Sequence, residues 1–365
     1  MIDRRAFLAL GLSLPVGKSS LLLDIPDPNI SALNTEGVVL IGISPDSSVL
    51  LGLRDRERIS FLDAKTRDVI SETEPTEWMR LIDEMSINWS PDGTRIAFSL
   101  RPWSVSVDSD IFVADIASGE LINITPEESG LVADSLMTAN TAQHVDTSPT
   151  WLDDDTLVFA RHSFPDGGDI QCELCRVSIS TGETETFLDL EPHNIRSLGN
   201  SIWRLSNGDL VFMGDSYDLH TGREAVKVSA DGELTKIDAG AERAFFIESV
   251  NDTHMIALDV QRYAWWYAQL DGGEEPELLW DHFTMPDGWR QVSPAILGPE
   301  PDTMFVVLRT EHDRVSAQLF GKGQTLQLAE LQGDFASHTS HWSEDLVLVA
   351  GESDSWLVPL KEIQG

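Results

Sequence analysis

The sequence predicts an all-β fold built from repeated four-stranded antiparallel units. Two observations support this prediction: a hairpin pattern that recurs along the 365 residues, and strands that alternate apolar and polar residues around Asp- and Gly-rich turns. A unit of roughly 40 residues cannot bury both of its faces alone, so neighbouring units must pack face to face. A ring of such units is a β-propeller, and the recurring turns indicate seven blades.

The clearest unit starts with residues 86–99, where two alternating strands flank the turn Ser-Pro-Asp-Gly. Pro91 pre-sets the first dihedral angle of this turn, the Asp92 carboxylate bonds nearby backbone N–H groups, and Gly93 accepts a positive φ. Two further strands follow in residues 110–124, around an Ala-Ser-Gly turn. The segment therefore predicts one complete blade.

The same turns recur elsewhere in the chain with drifting sequence. The counterparts of Asp92 are predicted at Asp46, Asp154, Asn207, Asp252, Asp302 and Asp345. A turn between third and fourth strands is predicted at residues 65–66, 118–119, 181–182, 231–232, 272–273 and 322–323. The seventh blade lacks that turn, so an N-terminal strand around residues 29–33 is expected to complete it and close the ring, which removes exposed sheet edges.

The chain is strongly acidic, with 61 Asp and Glu against 25 Lys and Arg and a formal net charge of −36. Such a charge repels nucleic-acid phosphates and anionic lipid surfaces, so neither is an expected partner. Only six of the basic residues are Lys. This balance fits either a surface that stays hydrated in high salt or ordinary solubility.

The N-terminus resembles a twin-arginine export signal, with the pair Arg4-Arg5, then Phe7-Leu8 and an apolar run to Val16. Residues 1–23 are therefore predicted to be a signal segment. Residues 24–365 are predicted to form a single β-propeller domain in the periplasm or outside the cell. No other stretch approaches the roughly 20 apolar residues of a membrane-spanning helix.

One repeat resembles a known family. Residues 90–98, Ser-Pro-Asp-Gly-Thr-Arg-Ile-Ala-Phe, followed by Asp-Ile-Phe-Val-Ala-Asp at 110–115 and a Ser-Gly turn, are similar to the repeat of TolB-type, WD40-like β-propellers. The resemblance implies a periplasmic or extracellular propeller, often a binding or scaffolding module. It implies no particular chemistry, because one propeller fold carries many functions.

Candidate ligand-binding residues lie where second strands end, on the face formed by the loops from second to third strands. Three predicted second strands end in arginine, namely Arg101, Arg161 and Arg309. Equivalent placement would converge three guanidinium groups, which suit a carboxylate or sulfate. The alternative is that each arginine pairs with a nearby acid such as Asp108, Asp169 or Glu311.

Histidines accompany these arginines. His162 and His312 follow two of them and are candidate ligand-binding residues, whereas His144 and His338 precede inner strands and are candidate catalytic residues. A neutral imidazole can act as a base or metal ligand near neutral pH. The ordinary alternative is a surface or hydrogen-bonded loop histidine. On an extended strand His338 and His341 point to opposite faces, so they cannot share a metal unless the chain turns there.

These residues leave two functions open. The favoured one is a monomeric, non-catalytic propeller without a cofactor, which recognises a protein, peptide or glycan. The alternative follows from a loose resemblance of residues 291–312 and the His338/His341 cluster to oligogalacturonate lyases, which are seven-bladed propellers with channel histidines and a divalent metal. That resemblance implies a polysaccharide lyase, in which a base removes the proton α to a uronate carboxylate and cations stabilise the enolate.

Two further features carry weaker predictions. Cys172 and Cys175 are expected to be ordinary thiols or a loop disulfide rather than a redox motif, because an extended strand points their sulfur atoms apart. The longest insertion, residues 126–148, is interpreted as a lid or a docking arm on the loop face.

Overall fold

The computed structural model describes β-strands throughout the chain. It describes residues 35, 37–55, 57–75, 87–100, 109–126, 144–163, 170–216, 223–240, 245–259, 264–281, 289–291, 295–297, 303–310, 314–321, 324–332, 339–342, 346–350 and 355–359. These residues hold 28 strands and one short 3-10 turn at Glu191–His193. Within the same ranges, no helix is long and apolar enough to cross a membrane.

The strands of the described residues form seven sheets in chain order. Sheet 1 contains β1 (Val38–Ile43), β2 (Val49–Arg54), β3 (Arg58–Asp63) and β4 (Val69–Glu72). Sheet 2 contains β5 (Asn88–Trp89), β6 (Arg95–Leu100), β7 (Asp110–Asp115) and β8 (Leu121–Asn123). Sheet 3 contains β9 (His144–Trp151), β10 (Thr156–Ser163), β11 (Gln171–Ser178) and β12 (Thr184–Asp189).

The later sheets follow the same order. Sheet 4 contains β13 (Ile195–Arg204), β14 (Leu210–Ser216), β15 (Arg223–Val228) and β16 (Leu234–Ile237). Sheet 5 contains β17 (Phe245–Val250), β18 (His254–Asp259), β19 (Ala264–Gln269) and β20 (Glu277–Asp281). Sheet 6 contains β21 (Trp289–Gln291), β22 (Ile296–Leu297), β23 (Thr303–Thr310), β24 (Arg314–Gly321) and β25 (Gln324–Gln332). Sheet 7 contains β26 (Thr339–Trp342), β27 (Leu346–Ala350) and β28 (Ser355–Pro359).

Each sheet is an antiparallel meander, because strands that follow one another in sequence also pair in space. The exception is sheet 6, where both β21 and β22 pair with β23. Sheet 7 has three strands in the described residues. The expected partner strand around residues 29–33 lies outside the described residues.

The hydrophobic core lies between sheets rather than within one. Phe61 of sheet 1 packs with Phe98 of sheet 2, and Phe159 of sheet 3 packs with other residues of sheet 2. Comparable clusters join sheets 3 and 4, sheets 4 and 5, and sheets 5 and 6. Leu348 of sheet 7 packs with Leu40 of sheet 1, so the last sheet contacts the first.

Polar side chains also join the first strands of neighbouring sheets. The Asn88 Nδ2 of sheet 2 donates to the Pro149 carbonyl of sheet 3 at 2.6 Å. The Ser148 hydroxyl of sheet 3 donates to the Gly199 carbonyl of sheet 4 at 3.3 Å. Ser148 is buried and Asn88 is half-buried, so the bonds satisfy polar atoms that have little access to water.

The hairpin turns lie along one edge of the sheets, which we call the turn edge. There the Asp92 carboxylate accepts bonds from the Ser90 hydroxyl at 2.6 Å and the Thr94 backbone N–H at 3.0 Å, and Gly93 has φ +69°. Asp46 accepts the corresponding bonds from Ser44 and Ser48. The predicted turn chemistry is confirmed in both sheets.

In sheet 3 the predicted residue, Asp154, lies in the turn but has a different role. Asp153 accepts the turn's own backbone bonds, from the N–H groups of Asp155 and Thr156 at 2.8 Å each. The Asp154 carboxylate instead accepts the Asp92 N–H of sheet 2, at 3.1 Å. The sequence prediction was therefore one residue off in register.

Sheet 5 repeats this displacement. The predicted Asp252 accepts the Ser206 N–H of sheet 4 at 2.7 Å, whereas Asn251 accepts the backbone bonds of its own turn. The turn edge thus contains contacts between sheets as well as within them. The predicted anchors Asp302 and Asp345, and the turn at 322–323, lie outside the described residues.

The two cysteines lie on β11 with free thiols, both buried. Cys172 belongs to the core between sheets 3 and 4, whereas Cys175 belongs to the core between sheets 2 and 3. Burial raises the pKa of both thiols, that of Cys175 to about 12. The sulfur atoms point to opposite faces, as predicted, and both groups are ordinary core thiols rather than a disulfide.

Candidate functional site

The opposite edge of the sheets, where second strands end and third strands begin, is here called the loop edge. Of the candidate residues, His144, Arg161 and His162 lie there, on β9 and β10 of sheet 3. Arg309 lies on β23, for which the structure describes the backbone alone at this position. Arg101, His312 and His338 lie outside the described residues, as do the suggested partners Asp108, Asp169 and Glu311.

Arg161 is held by Asp146, an acid that sequence reasoning did not pair with it. Its Nε donates to Asp146 Oδ1 at 2.8 Å and its Nη2 donates to Oδ2 at 2.7 Å. The two residues are directly opposite on β10 and β9, and the Asp146 residue is only 2% exposed. This bidentate geometry occupies the fork of donors that an external carboxylate would use.

A polar cluster between sheets 2 and 3 fixes this ion pair. The Asp146 N–H donates to the Ser109 carbonyl and the Ser109 hydroxyl donates to the Asp146 carbonyl, each at 2.8 Å. Burial raises the pKa of the Asp146 carboxyl, and the bonds and charge of Arg161 oppose that rise. The Arg161 Cζ also lies over the Phe159 ring, 5.3 Å from the ring centroid.

His144 and His162 lie on opposite faces of sheet 3. The Nδ1 of His144 is 2.9 Å from the Ser163 hydroxyl, on the face that carries Arg161. His162 shares the other face with Val158 and Ala160, which pack against sheet 4. His162 and Arg161 therefore both lie at the loop edge but on opposite faces of the sheet, because successive residues of a strand point in opposite directions.

His162 is largely buried, and its Nε2 has no hydrogen-bond partner within the described part of the chain. Burial lowers the pKa of this imidazole, while the Val145 backbone and the charge of Asp146 oppose that shift. The ring is therefore neutral near pH 7. A neutral imidazole facing sheet 4 is separated by the sheet from Arg161 and His144.

The strand register also corrects the expected equivalence of the arginines. In sheet 2 the first hairpin is closed by the bond from the Ser90 N–H to the Arg95 carbonyl, and in sheet 3 by the bond from the Leu152 N–H to the Thr156 carbonyl. Arg95 and Thr156 therefore occupy equivalent positions. Five residues further on, Leu100 of sheet 2 corresponds to Arg161 of sheet 3, so Arg101 is one position later. The corresponding residue of sheet 1 is Arg54, which the sequence analysis missed.

Arg54 and Arg223 are two loop-edge arginines that sequence reasoning did not select. Arg54 ends β2 and its Nε donates to Glu72 at 2.6 Å. Arg223 begins β15 and its Nε donates to Asp215 Oδ1 at 2.9 Å. Arg54 could have been predicted from the sequence, because it ends a second strand as Arg161 does. Arg223 could not, because it begins a third strand.

The described part of the loop edge carries arginine side chains and no cluster of metal-ligating groups. Among the described residues, no group of three or more His, Cys, Asp or Glu side chains is arranged to hold a metal ion. The residues 127–143 of the insertion lie outside the described ranges, and its end at residues 144–148 is part of β9.

No protein-family profile and no curated protein matches the sequence. Solved structures do match. An oligogalacturonate lyase from Vibrio parahaemolyticus aligns with a TM-score of 0.59 at 15% identity, over 92% of this chain and 96% of that one. The β-propeller domain of Cps50 (Swd1) from Myceliophteria thermophila aligns with a TM-score of 0.57 at 13% identity, over 90% and 99%.

The β-propeller domain of the trilobed protease from Pyrococcus furiosus aligns with a TM-score of 0.52 at 15% identity, over 89% of this chain and 94% of that one. The protein described here therefore has a β-propeller fold. The TolB-like, WD40-like repeat that the sequence predicts is consistent with these neighbours. At such identities the likeness concerns the fold alone, because one propeller fold supports many functions.

Proposed function

We propose that this protein is an exported, non-catalytic β-propeller that binds a protein partner through its loop edge. The observation that carries this proposal is the Arg161–Asp146 pair. An arginine that clamps a substrate anion must offer its donors to that anion, whereas both donors of this fork bond a buried carboxylate of the same sheet. The pair stabilises the contact between sheets 2 and 3.

The positions of the histidines favour binding over elimination chemistry. A lyase needs a base and cationic groups within a few ångströms of one substrate carbon. His162 faces sheet 4, whereas His144 and Arg161 share the other face, so His162 does not join them in such a site. We assign no cofactor or metal to the binding function.

The proposed architecture is a ring of seven blades that acts as a monomer. Seven sheets in sequence and the contact between Leu348 and sheet 1 support it. We assign the closing strand to residues around 29–33, and export to the segment 1–23 with its Arg4-Arg5 pair. The net charge of −36 supports a protein partner over a nucleic acid.

Site-specific photocrosslinking in the organism that encodes the protein tests the binding function. Gln171 and Thr181 are exposed residues at opposite ends of the β11 region, one at the loop edge and one at the turn edge. A photoreactive amino acid at Gln171 should yield a discrete protein adduct, identified by mass spectrometry, and the same group at Thr181 should not. Equal adducts from both positions, or none from Gln171, would contradict the proposal.

An eliminase assay distinguishes the alternative, a lyase of the kind that the Vibrio parahaemolyticus neighbour represents. The purified chain, with and without added divalent metal, is incubated with polygalacturonate, and unsaturated products are followed by ultraviolet absorbance. We expect no increase over a heated control. A metal-dependent increase that His144→Ala abolishes would replace the binding function by the lyase.

A further inference from the structure

Arg223 and Phe246 form an exposed pair at the loop edge between sheets 4 and 5. The Arg223 guanidinium lies over the Phe246 ring, with Cζ 4.0 Å from the ring centroid. Phe246 is 40% exposed, although its neighbours Phe245 and Ile247 are buried in the core between these sheets. Packing of the core does not require an aromatic ring to be this exposed or to contact a cation.

The guanidinium is fixed from two sides and still has donors to offer. Its Nε donates to Asp215 Oδ1 at 2.9 Å, and its Nη1 donates to the Phe245 carbonyl at 3.3 Å. Its Nη2 has no hydrogen-bond partner in the part of the chain that the structure describes. Arg161 differs, because one buried carboxylate, that of Asp146, accepts from both its Nε and its Nη2, whereas Asp215 accepts only from the Nε of Arg223.

This arrangement is pre-organised for binding. A free arginine side chain loses considerable rotamer entropy when it binds a ligand, but Arg223 is already held by two hydrogen bonds and by the ring. Asp215 in turn accepts a bond from the Ser197 hydroxyl at 3.3 Å, which steadies the carboxylate beneath the guanidinium. The uncommitted Nη2 can then donate to an external acceptor at little entropic cost.

We propose that Arg223 and Phe246 form a binding subsite for an acidic peptide segment of the partner. A carboxylate of the peptide accepts hydrogen bonds from Arg223 Nη2, and an adjacent apolar side chain packs on the exposed part of the Phe246 ring. This subsite rests on the proposed binding function and gives it a ligand chemistry. A single carboxylate next to an apolar group satisfies the pair, whereas a sugar also needs partners for several hydroxyls.

The repulsion from the acidic chain as a whole does not prevent this recognition. At physiological ionic strength the charges of the distant turn-edge aspartates are screened within about 8 Å. A contact of a carboxylate with a guanidinium is local and partly desolvated, so it is screened less. The net charge of −36 instead disfavours partners whose acidic groups do not contact an arginine of this protein.

Binding of a defined probe to the full chain tests the subsite. The probe is the acetylated, amidated tripeptide Phe-Glu-Phe, with Phe-Gln-Phe as the uncharged analogue, and binding is followed through the arginine Nε–Hε signals of the ¹⁵N-labelled protein. We expect the Glu peptide to shift the Arg223 signal, which is assigned by its loss in Arg223→Gln. The Gln peptide should bind at least tenfold more weakly, because a charge-assisted bond is lost.

Matched variants separate the subsite from the general surface. Arg223→Gln should weaken the Glu peptide at least tenfold and Phe246→Ala several-fold, whereas Arg54→Gln, a loop-edge arginine bonded to Glu72, should leave binding unchanged. Unfolding midpoints check that each variant is folded. Equal binding of the Glu and Gln peptides, or unchanged binding by Arg223→Gln, would overturn the proposal.

Two further outcomes complete the test. Tighter binding of digalacturonate than of the Glu peptide would overturn the choice of a peptide ligand. If Arg223→Gln still gives the full crosslinked adduct from position 171, the binding function stands and the subsite falls. If neither the native chain nor the variant gives an adduct, the binding function itself fails.

Discussion

The turn edge and the loop edge of the sheets use charged residues in opposite ways. At the turn edge, hydrogen bonds lower the pKa of Asp46, Asp92 and Asp115, and each of these carboxylates accepts bonds from its own turn. At the loop edge, the buried Asp146 holds Arg161 in a bidentate pair, whereas the more exposed Asp215 accepts a bond only from the Nε of Arg223. The repeated hydrogen bonds of the turns build the fold, and the irregular loop edge is where we propose that a partner binds.

The largest expected effect comes from breaking the ion pair between Arg161 and the buried Asp146 at the loop edge. Asp146→Asn leaves the Arg161 guanidinium, 20% exposed, without its buried counter-charge. Removal of one partner from a buried ion pair costs about 3 to 5 kcal/mol of unfolding free energy. Urea unfolding measures the loss.

The control for this variant is Asp215→Asn, at the more exposed pair with Arg223. Exposed pairs contribute about 0 to 1 kcal/mol, so the unfolding midpoint should change little. Equal losses of unfolding free energy in Asp146→Asn and Asp215→Asn would contradict the difference in burial between the two loop-edge ion pairs.

A glycine comparison at the turn edge should have the next largest effect. Gly93 and Gly119 have φ +69° and +72°, but a Cβ at Gly93 meets open space, whereas one at Gly119 lies 2.2 Å from the Glu72 carbonyl oxygen of sheet 1. Gly93→Ala should cost about 1 kcal/mol from backbone strain. Gly119→Ala should cost about 1 to 3 kcal/mol more, because the neighbouring backbone must move.

Thermal or urea unfolding of the two alanine variants gives both values. A larger loss in Gly93→Ala than in Gly119→Ala would contradict the close packing of the sheet 2 turn against sheet 1.

The turn-edge aspartates should make the fold sensitive to acid. Their folded pKa values lie below the ordinary 3.8, so the stability they contribute is present above that pH and is lost as the pH falls through their folded pKa values. The unfolding midpoint should therefore drop as the pH decreases below about 4. Asp92→Asn should be less stable than the native chain at pH 7 and closer to it at pH 3.

Asp146 has the opposite sign, because burial raises its folded pKa. The Asp92→Asn comparison isolates the turn from this contribution. A constant difference between variant and native chain from pH 7 to pH 3 would contradict the assigned role of the Asp92 carboxylate.

The smallest expected effect concerns His162. Its folded pKa lies below the ordinary 6.5 because burial disfavours the charged ring. The unfolded chain therefore binds this proton at a higher pH than the folded chain, and stability should decline slightly as the pH falls below 6.5. NMR titration should place the His162 transition below 6.5, and His162→Phe should remove that part of the pH dependence; a transition above 6.5 would refute its burial.

The sequence predicted the turn edge well because local chemistry determines it. Asp92 and Gly93 act within a few residues of each other, so their roles can be read from spacing. The one-residue displacement at Asp154 was not predictable, because its partner is the Asp92 N–H of another sheet. The same limit explains the missed Asp146 partner of Arg161, which lies on a different strand, 15 residues away.

At the loop edge, the alternation of side chains along β10 separates Arg161 from His162, although both residues end the same strand. Arg223 could not be found from its own segment. Its role depends on the ring of Phe246 in the next sheet and on the Asp215 carboxylate across the hairpin. A pair assembled from two sheets has no signal in the spacing of either.

Paired measurement of stability and probe binding in Arg223→Gln and Asp92→Asn tests the division between the two edges most directly. We predict that Arg223→Gln loses binding of the Glu peptide at least tenfold with an unfolding midpoint close to the native one. Asp92→Asn should lose stability and keep the native affinity. Loss of affinity in Asp92→Asn, or native affinity in Arg223→Gln, would contradict the assignment of fold to one edge and recognition to the other.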